Sequence, residues 1–245
     1  ELRGYIEFTA HTATQFKAKK GKELPEPPAV ALRAATQAEV GRIKGEVLRL
    51  GDHGEAAHLA LIAPYVRGER DSRLLAAIGL DERFANNDAR ARKFLEAAVA
   101  AKVTRARAYI ELARLRLAEG GDTPRPLDAP ARDEILAVLQ AARAQPPPLV
   151  DANLLMVEAW RRSTEAPTVV QFALVLDGVR AFPRDLELVF ATGQLAVERK
   201  LPAEAKALAA HGLKISVAPA ARAQFEALAR EAEKISSPDT SLSPP

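Results

Sequence analysis

Residues 72 to 105 constrain the fold of this chain more than any other stretch. They read SRLLAAIGLDERFANNDARARKFLEAAVAAKVTR. Two amphipathic helical patterns lie back to back, joined by the turn Ala85-Asn86-Asn87-Asp88. Leu75, Ile78 and Gly79 share one face of the first pattern; Ala91, Leu95 and Ala98 share one face of the second. One helical hairpin cannot bury both of its apolar faces, but a stack of like hairpins can. The spacing does recur. Tyr109, Leu112 and Ala113 repeat the large, large, small order of Leu75, Ile78 and Gly79. Val189, Gly193, Ala205, Ala209 and Gly212 fall at the spacings of Leu75, Gly79, Ala91, Leu95 and Ala98. A recurrence of about 34 residues implies an all-α fold, a superhelical solenoid of stacked antiparallel hairpins.

The flanking sequence extends the stack. A helical pattern over 29–50 carries Val30, Ala34, Val40, Ile43, Val47 and Leu50, and Gly51-Asp52 ends it. The next, over 54–66, contains Pro64, which predicts a kink or an early end. Gly45, Ala57 and Leu61 sit where a diverged first hairpin would place them. A Gly- and Pro-rich insertion, residues 120–130, interrupts the unit that begins at Ala106. Loops of this kind often carry function, and insertions in repeats are also simply tolerated. The third hairpin spans 150–184, with Leu154, Leu155, Val157, Ala159 and Trp160 in its first helix and Val170, Leu174, Val175 and Gly178 in its second. Trp160 reads as core. The fourth begins at Leu186 and turns at Lys200-Leu201-Pro202. A last amphipathic pattern, 219–235, puts Phe225, Leu228 and Ala232 inside and Arg222, Glu226, Arg230 and Lys234 outside, as a capping helix needs.

The chain thus divides into an N-terminal segment with a Pro-rich linker (1–27), the repeat domain (28–235) and a disordered tail (236–245). Residues 1–24 fit a strand through Leu2, Ile6, Phe8 and Ala10, or a helix through Leu2, Ile6, Thr9, Ala13 and Phe16. The helical reading agrees with the helical patterns downstream; the strand reading would make the segment the last piece of an upstream domain. Lys17, Lys19, Lys20 and Lys22 read as a solvated helix end or linker. The start at Glu1, without methionine, fits a processed form or a piece of a longer protein.

Composition narrows the function classes. Hydrophobic residues make up 48% and aromatics only 5%, so the helices must pack closely through alanine and leucine. The 35 basic and 32 acidic residues leave a net charge of +3, too small to point to nucleic acid. With no cysteine there is neither a disulfide nor a thiolate metal site. No apolar run reaches the length of a membrane span. His53 and His58 superficially match a zinc-protease helix, but they are five apart rather than four. His11 and His211 stand alone. No phosphate loop, nucleophile elbow or carboxylate pair is present, so no catalysis, metal or cofactor is expected.

The pattern resembles the tetratricopeptide repeat (TPR) family, through Leu75, Ile78, Gly79, Ala91, Leu95 and Ala98, with Tyr109, Leu112, Ala113 and Pro183 in support. The likeness covers 72–217 well and 38–71 weakly. It departs from the family in the insertion and in lacking tryptophan in most first helices, so half-a-TPR and HEAT-like hairpins remain open. The resemblance implies a scaffold that holds a peptide or protein partner in a groove lined by the first helix of each hairpin.

On that template the groove residues are Arg73, Ala76, Leu80 and Arg83, then Arg107, Ile110, Arg114 and Leu117, then Asn153, Val157, Glu187, Phe190, Gln194 and Val197. We take Arg73, Arg83, Arg107, Ile110, Arg114, Phe190 and Gln194 as the candidate peptide-binding set. From Arg73 to Glu119 there are 10 basic and 6 acidic residues. That excess predicts a groove for an acidic segment or a C-terminal carboxylate, which arginine grips bidentately. The rival from another class is the non-catalytic C-terminal region of a larger bacterial enzyme, such as a secreted hydrolase. An RNA-binding repeat would need basic and stacking residues in every unit, and Glu187, Phe190 and Gln194 do not supply them. The Ala- and Arg-rich composition is associated with bacteria of high GC content; the compartment, cytoplasmic or exported, stays open.

Overall fold

The computed structural model describes residues 33–119 and 125–236. The chain divides into two compact units, Glu1–Ala35 and Thr36–Pro245, and every described helix belongs to the second. Residues 1–24, the Pro-rich linker, the first part of the insertion and nearly all of the tail lie outside the described residues. The helices are α1 (Gln37–Leu50), α2 (Gly54–Val66), α3 (Ser72–Phe84), α4 (Asp88–Ala100), α5 (Ala106–Leu117), α6 (Ala129–Arg143), α7 (Val150–Arg162), α8 (Val169–Ala181), α9 (Leu186–Glu198), α10 (Pro202–Ile215) and α11 (Pro219–Lys234). They pair into five hairpins, α1–α2 to α9–α10, followed by the single helix α11.

The order of packing is that of a repeat stack. Each first helix packs on the first helix of the next hairpin: α1 on α3, α3 on α5, α5 on α7, α7 on α9, and α9 on α11. Each second helix packs on its own partner and on the following first helix. Small residues set the spacing. A Cβ on Gly79 would lie 2.8 Å from Leu95 Cγ, and one on Gly193 or Gly212 would overlap Leu228 or the Phe225 ring. Ala98, Ala113, Ala142 and Ala159 occupy the matching contacts and are fully buried. Trp160 is buried, as the sequence implied.

Local chemistry fixes where the helices begin and end. Thr36 and Thr168 close capping boxes with Glu39 and Gln171, and the carboxylates of Asp71, Asp128 and Asp185 accept from the first free amides of α3, α6 and α9. The Thr36 box explains one departure from expectation: α1 begins at Gln37, not Ala29, and residues 33–36 are not helical. Asp52, Asn86, Lys102 and Lys200 turn the chain after α1, α3, α4 and α9 with φ near +60°. Arginines cap the carbonyl ends of neighbouring first helices. Arg162 at the end of α7 donates to Leu117 O at 2.6 Å, and Arg199 after α9 donates to Trp160 O at 2.6 Å and Ser163 O at 2.9 Å.

Other differences arise from register. Helix α2 runs through Pro64 to Val66. Pro64 sits in its last turn and packs over Gly41, where a Cβ would overlap Pro64 Cγ. In α8 the capping box sets a register that buries Phe172, Val175 and Val179; Val170, expected inside, is exposed, and Leu174 lies at the surface. The end of the insertion is anchored rather than free. Leu127 N–H donates to Arg162 O, Thr164 N–H donates to Leu127 O, and the Arg162 guanidinium donates to Arg125 O. Arg132 is buried against the Trp160 ring, 4.6 Å from its centroid, and donates to Ser163 Oγ and Glu165. Its hydrogen bond to Asp133 raises its pKa against the opposing effect of burial.

Three substitutions check this packing. Gly212→Ala forces a methyl into the buried Phe225 ring and is expected to destabilise by about 1–3 kcal/mol in urea unfolding. Gly54→Ala meets only the flexible end of Arg49 and should change stability by less than about 0.5 kcal/mol. Lys200→Gly relieves a left-handed residue that has a side chain; we expect a gain of about 0.5–1 kcal/mol and a raised melting temperature.

Candidate binding face

The first helices present one face on which side chains from successive hairpins meet. Leu80, Arg83 and Phe84 of α3 line a hollow with Arg107 and Glu111 of α5. Arg114 lines the next with Asp151, Leu154 and Glu158 of α7 and Glu187 and Ala191 of α9.

Three of the predicted arginines come together here. Arg83 lies 3.6 Å from Glu111 and 2.6 Å from Asp88. Arg107 lies 3.8 Å from Glu111 and 2.9 Å from Asp151. Arg114 lies 3.6 Å from Glu111 and 2.7 Å from Asp151. Three guanidinium groups thus face three carboxylates. Counting charges from 73 to 119 missed this balance, because Asp151 arrives from the following repeat. Each arginine is held in place, and a carboxylate ligand would have to compete with Asp151 for Arg107 and Arg114.

The other predicted residues are placed differently. Arg73 is exposed at the start of α3 and donates to Thr104 Oγ1 at 3.3 Å, apart from the cluster. Ile110 is fully buried in the core and offers nothing to a ligand. It follows Tyr109 directly, and α5 buries Ala108, Tyr109 and Ile110 together because neighbours pack on more than one side of it. Phe190 is half-buried and meets Phe225 of α11 edge-on, with ring centroids 5.5 Å apart, so it belongs to the contact with the last helix. Gln194, also half-buried, lies one turn further along α9.

A second feature of this face was not anticipated. Leu50 of α1, Leu61 of α2 and Ala77, Leu80 and Phe84 of α3 line a hollow of about 310 Å³. Phe84 is 70% exposed. The Arg49 guanidinium stacks on its ring, 4.7 Å from the centroid. Arg49 is also paired with Asp81, a nearly buried carboxylate that takes a 2.8 Å hydrogen bond from His58 Nδ1. Arg105 pairs with Glu46, which lies about one turn before Arg49 on α1. The hollow is therefore apolar at its base and ringed by fixed charges. The signal in the sequence was an aromatic at the end of a first helix, which the repeat template reads as a turn.

No family model matches the sequence, and no curated protein is similar to it at the sequence level. Solved structures are similar in fold. The crystal structure of MamA protein matches with a TM-score of 0.52 at 14% identity, over 85% of this chain and 98% of that one. The crystal structure of PilW, described as a widely conserved type IV pilus biogenesis factor, matches with a TM-score of 0.52 at 12% identity, over 82% of this chain and 91% of that one. The fold is the TPR-like helical repeat that the spacing implied.

Removing the anchor of the Arg49 side chain tests the architecture of the hollow. Asp81→Ala leaves Arg49 and His58 without their shared acceptor. Both side chains reach solvent, so the expected loss is about 1–2 kcal/mol in urea unfolding, smaller than for a fully buried pair.

Proposed function

We propose that this chain is a non-catalytic scaffold that holds a protein or peptide segment on its first-helix face. The observation that carries the reading is the apolar hollow at Leu50, Leu61, Ala77, Leu80 and Phe84, open to solvent and ringed by Arg49, Arg105, Glu46 and Asp81. An exposed aromatic beside a stacked arginine is the composition of an interaction hot spot. A volume of this size accepts one bulky apolar side chain of a partner. The Arg83–Glu111–Arg107–Asp151–Arg114 network lies further along the same run of helices and supplies fixed donors and acceptors for the partner's backbone and polar groups. A carboxylate on the partner, internal or C-terminal, adds to binding by replacing Asp151 as the acceptor of Arg107 and Arg114. The TPR resemblance supports the same reading, since it implies partner binding along the first helices.

Selecting peptides from a displayed random library against the full chain tests it. The expected binders carry a bulky apolar residue and lose at least about tenfold in affinity against Phe84→Ala. Val169→Ala, an exposed apolar residue of α8, should leave them unchanged. Comparing free and amidated C-termini then reads the contribution of the arginines. Absence of any saturable binder, or binders indifferent to Phe84→Ala, overturns the proposal.

A further inference from the structure

The second helices carry a hollow of their own. Short turns join α6 to α7 and α7 to α8, so α6 and α8 run the same way. Both rest on α7 and do not pack on each other, which leaves a groove between them. Its floor is Met156 and Trp160 of α7, both almost fully buried. Leu136 of α6 stands on one side and Gln171 and Leu174 of α8 on the other, around a volume of about 190 Å³. Leu174 reaches the surface, and Val170, one turn before it on α8, is exposed. The described end of the insertion is held at Arg162 and Thr164 and lines none of this hollow.

The two ends of the groove carry opposite charge. At the start of α6 the buried Arg132 is matched by two carboxylates, Asp133 at 2.9 Å and Glu165 at 3.0 Å, which leaves one negative charge in excess. Both carboxylates are exposed to solvent. At the end of α6 Arg143 donates to Leu174 O at 3.0 Å and meets no carboxylate among the described residues. Asp133 and Arg143 stand about 15 Å apart along the axis of α6. We infer that the groove takes an amphipathic helix of a partner protein, on a surface separate from the first-helix face. Two helices that run the same way guide a third along their own direction, over the floor that α7 provides. A bulky aliphatic side chain of the partner fills the hollow between Leu136 and Leu174. A basic residue of the partner lies beside Asp133 and Glu165, and an acidic one, about three turns away, lies beside Arg143. That order of charges fixes which way the helix runs. A nucleic acid is a poor occupant, because its phosphates would meet the two carboxylates.

Selection from a displayed library of tryptophan-free helical peptides, made against the full chain carrying Phe84→Ala, tests the inference and keeps it independent of the first-helix site. Trp160 is the chain's one tryptophan, so its emission reports on the floor of the groove. The expected binders carry a bulky aliphatic residue between a basic and an acidic one, and they shift the Trp160 emission as they saturate. Leu174→Asp, at a surface position, should leave the helical circular dichroism unchanged and weaken them at least about tenfold. Arg143→Glu should weaken them as well. A peptide whose acidic residue is exchanged for lysine should then recover its affinity for the Arg143→Glu chain, which a merely structural role of Arg143 would not produce. Absence of any saturable binder, or binders indifferent to Leu174→Asp, overturns the inference. Failure of the exchanged peptide to recover overturns the direction assigned to the helix.

Discussion

The stack depends on how closely its helices approach at a few small residues. Gly79 against Leu95, Gly193 against Leu228 and Gly212 against Phe225 leave no room for another carbon. With only 5% aromatic residues the chain cannot hold its helices apart on large side chains and still fill the space between them. Instead one helix of each contact is flattened, and a leucine or phenylalanine from the other fills it. The same device recurs in successive hairpins, which is why a spacing rule could be read at all. It ties the two helices of a hairpin together, as at Gly79 and Leu95, and the last hairpin to α11, since the residue that enters the flat surface comes from a neighbouring helix.

Several of the arginines serve the chain's own structure. Arg162 and Arg199 take up carbonyls that the ends of α5 and α7 leave without partners. Arg132 lies under Trp160. Arg83, Arg107 and Arg114 are matched by Glu111, Asp151 and Asp88. Arginine suits these tasks because its planar fork reaches several oxygens at once and keeps its charge when partly buried. Part of the basic excess behind a sequence pI near 9.2 is therefore already paired within the chain.

The helical pattern and the small contact positions were legible from residues 72–105 and their recurrence, because both rest on local periodicity. The direction in which a helix faces was less so. Val40, Ile43, Val47 and Leu50 look like a core stripe, yet the core side of α1 is Ala38, Gly41 and Gly45. An apolar pattern marks a face of a helix without saying which way that face turns. The candidate face was partly legible. Arg83, Arg107 and Arg114 do converge, whereas Ile110 is buried and Arg73 stands apart. What periodicity could not show was Asp151, since a contact between repeats is set by the twist from one hairpin to the next. The hollow at Phe84 escaped for the same reason: its walls come from α1, α2 and α3.

The hollow beside Phe84 is built from side chains that are already fixed. The Arg49 guanidinium lies on the Phe84 ring, and Asp81 holds Arg49 from behind while it also pairs with His58. Leu61 and Ala77 form a base that the packing of α2 on α3 sets in place, and Leu50, the last residue of α1, stands beside it almost fully exposed. An apolar side chain that entered there would meet walls of which all but Leu50 are ordered, so little side-chain entropy would be lost on its account. The exposure of Phe84 is therefore held in place by a buried carboxylate one turn away on the same helix, and not by a lack of neighbours.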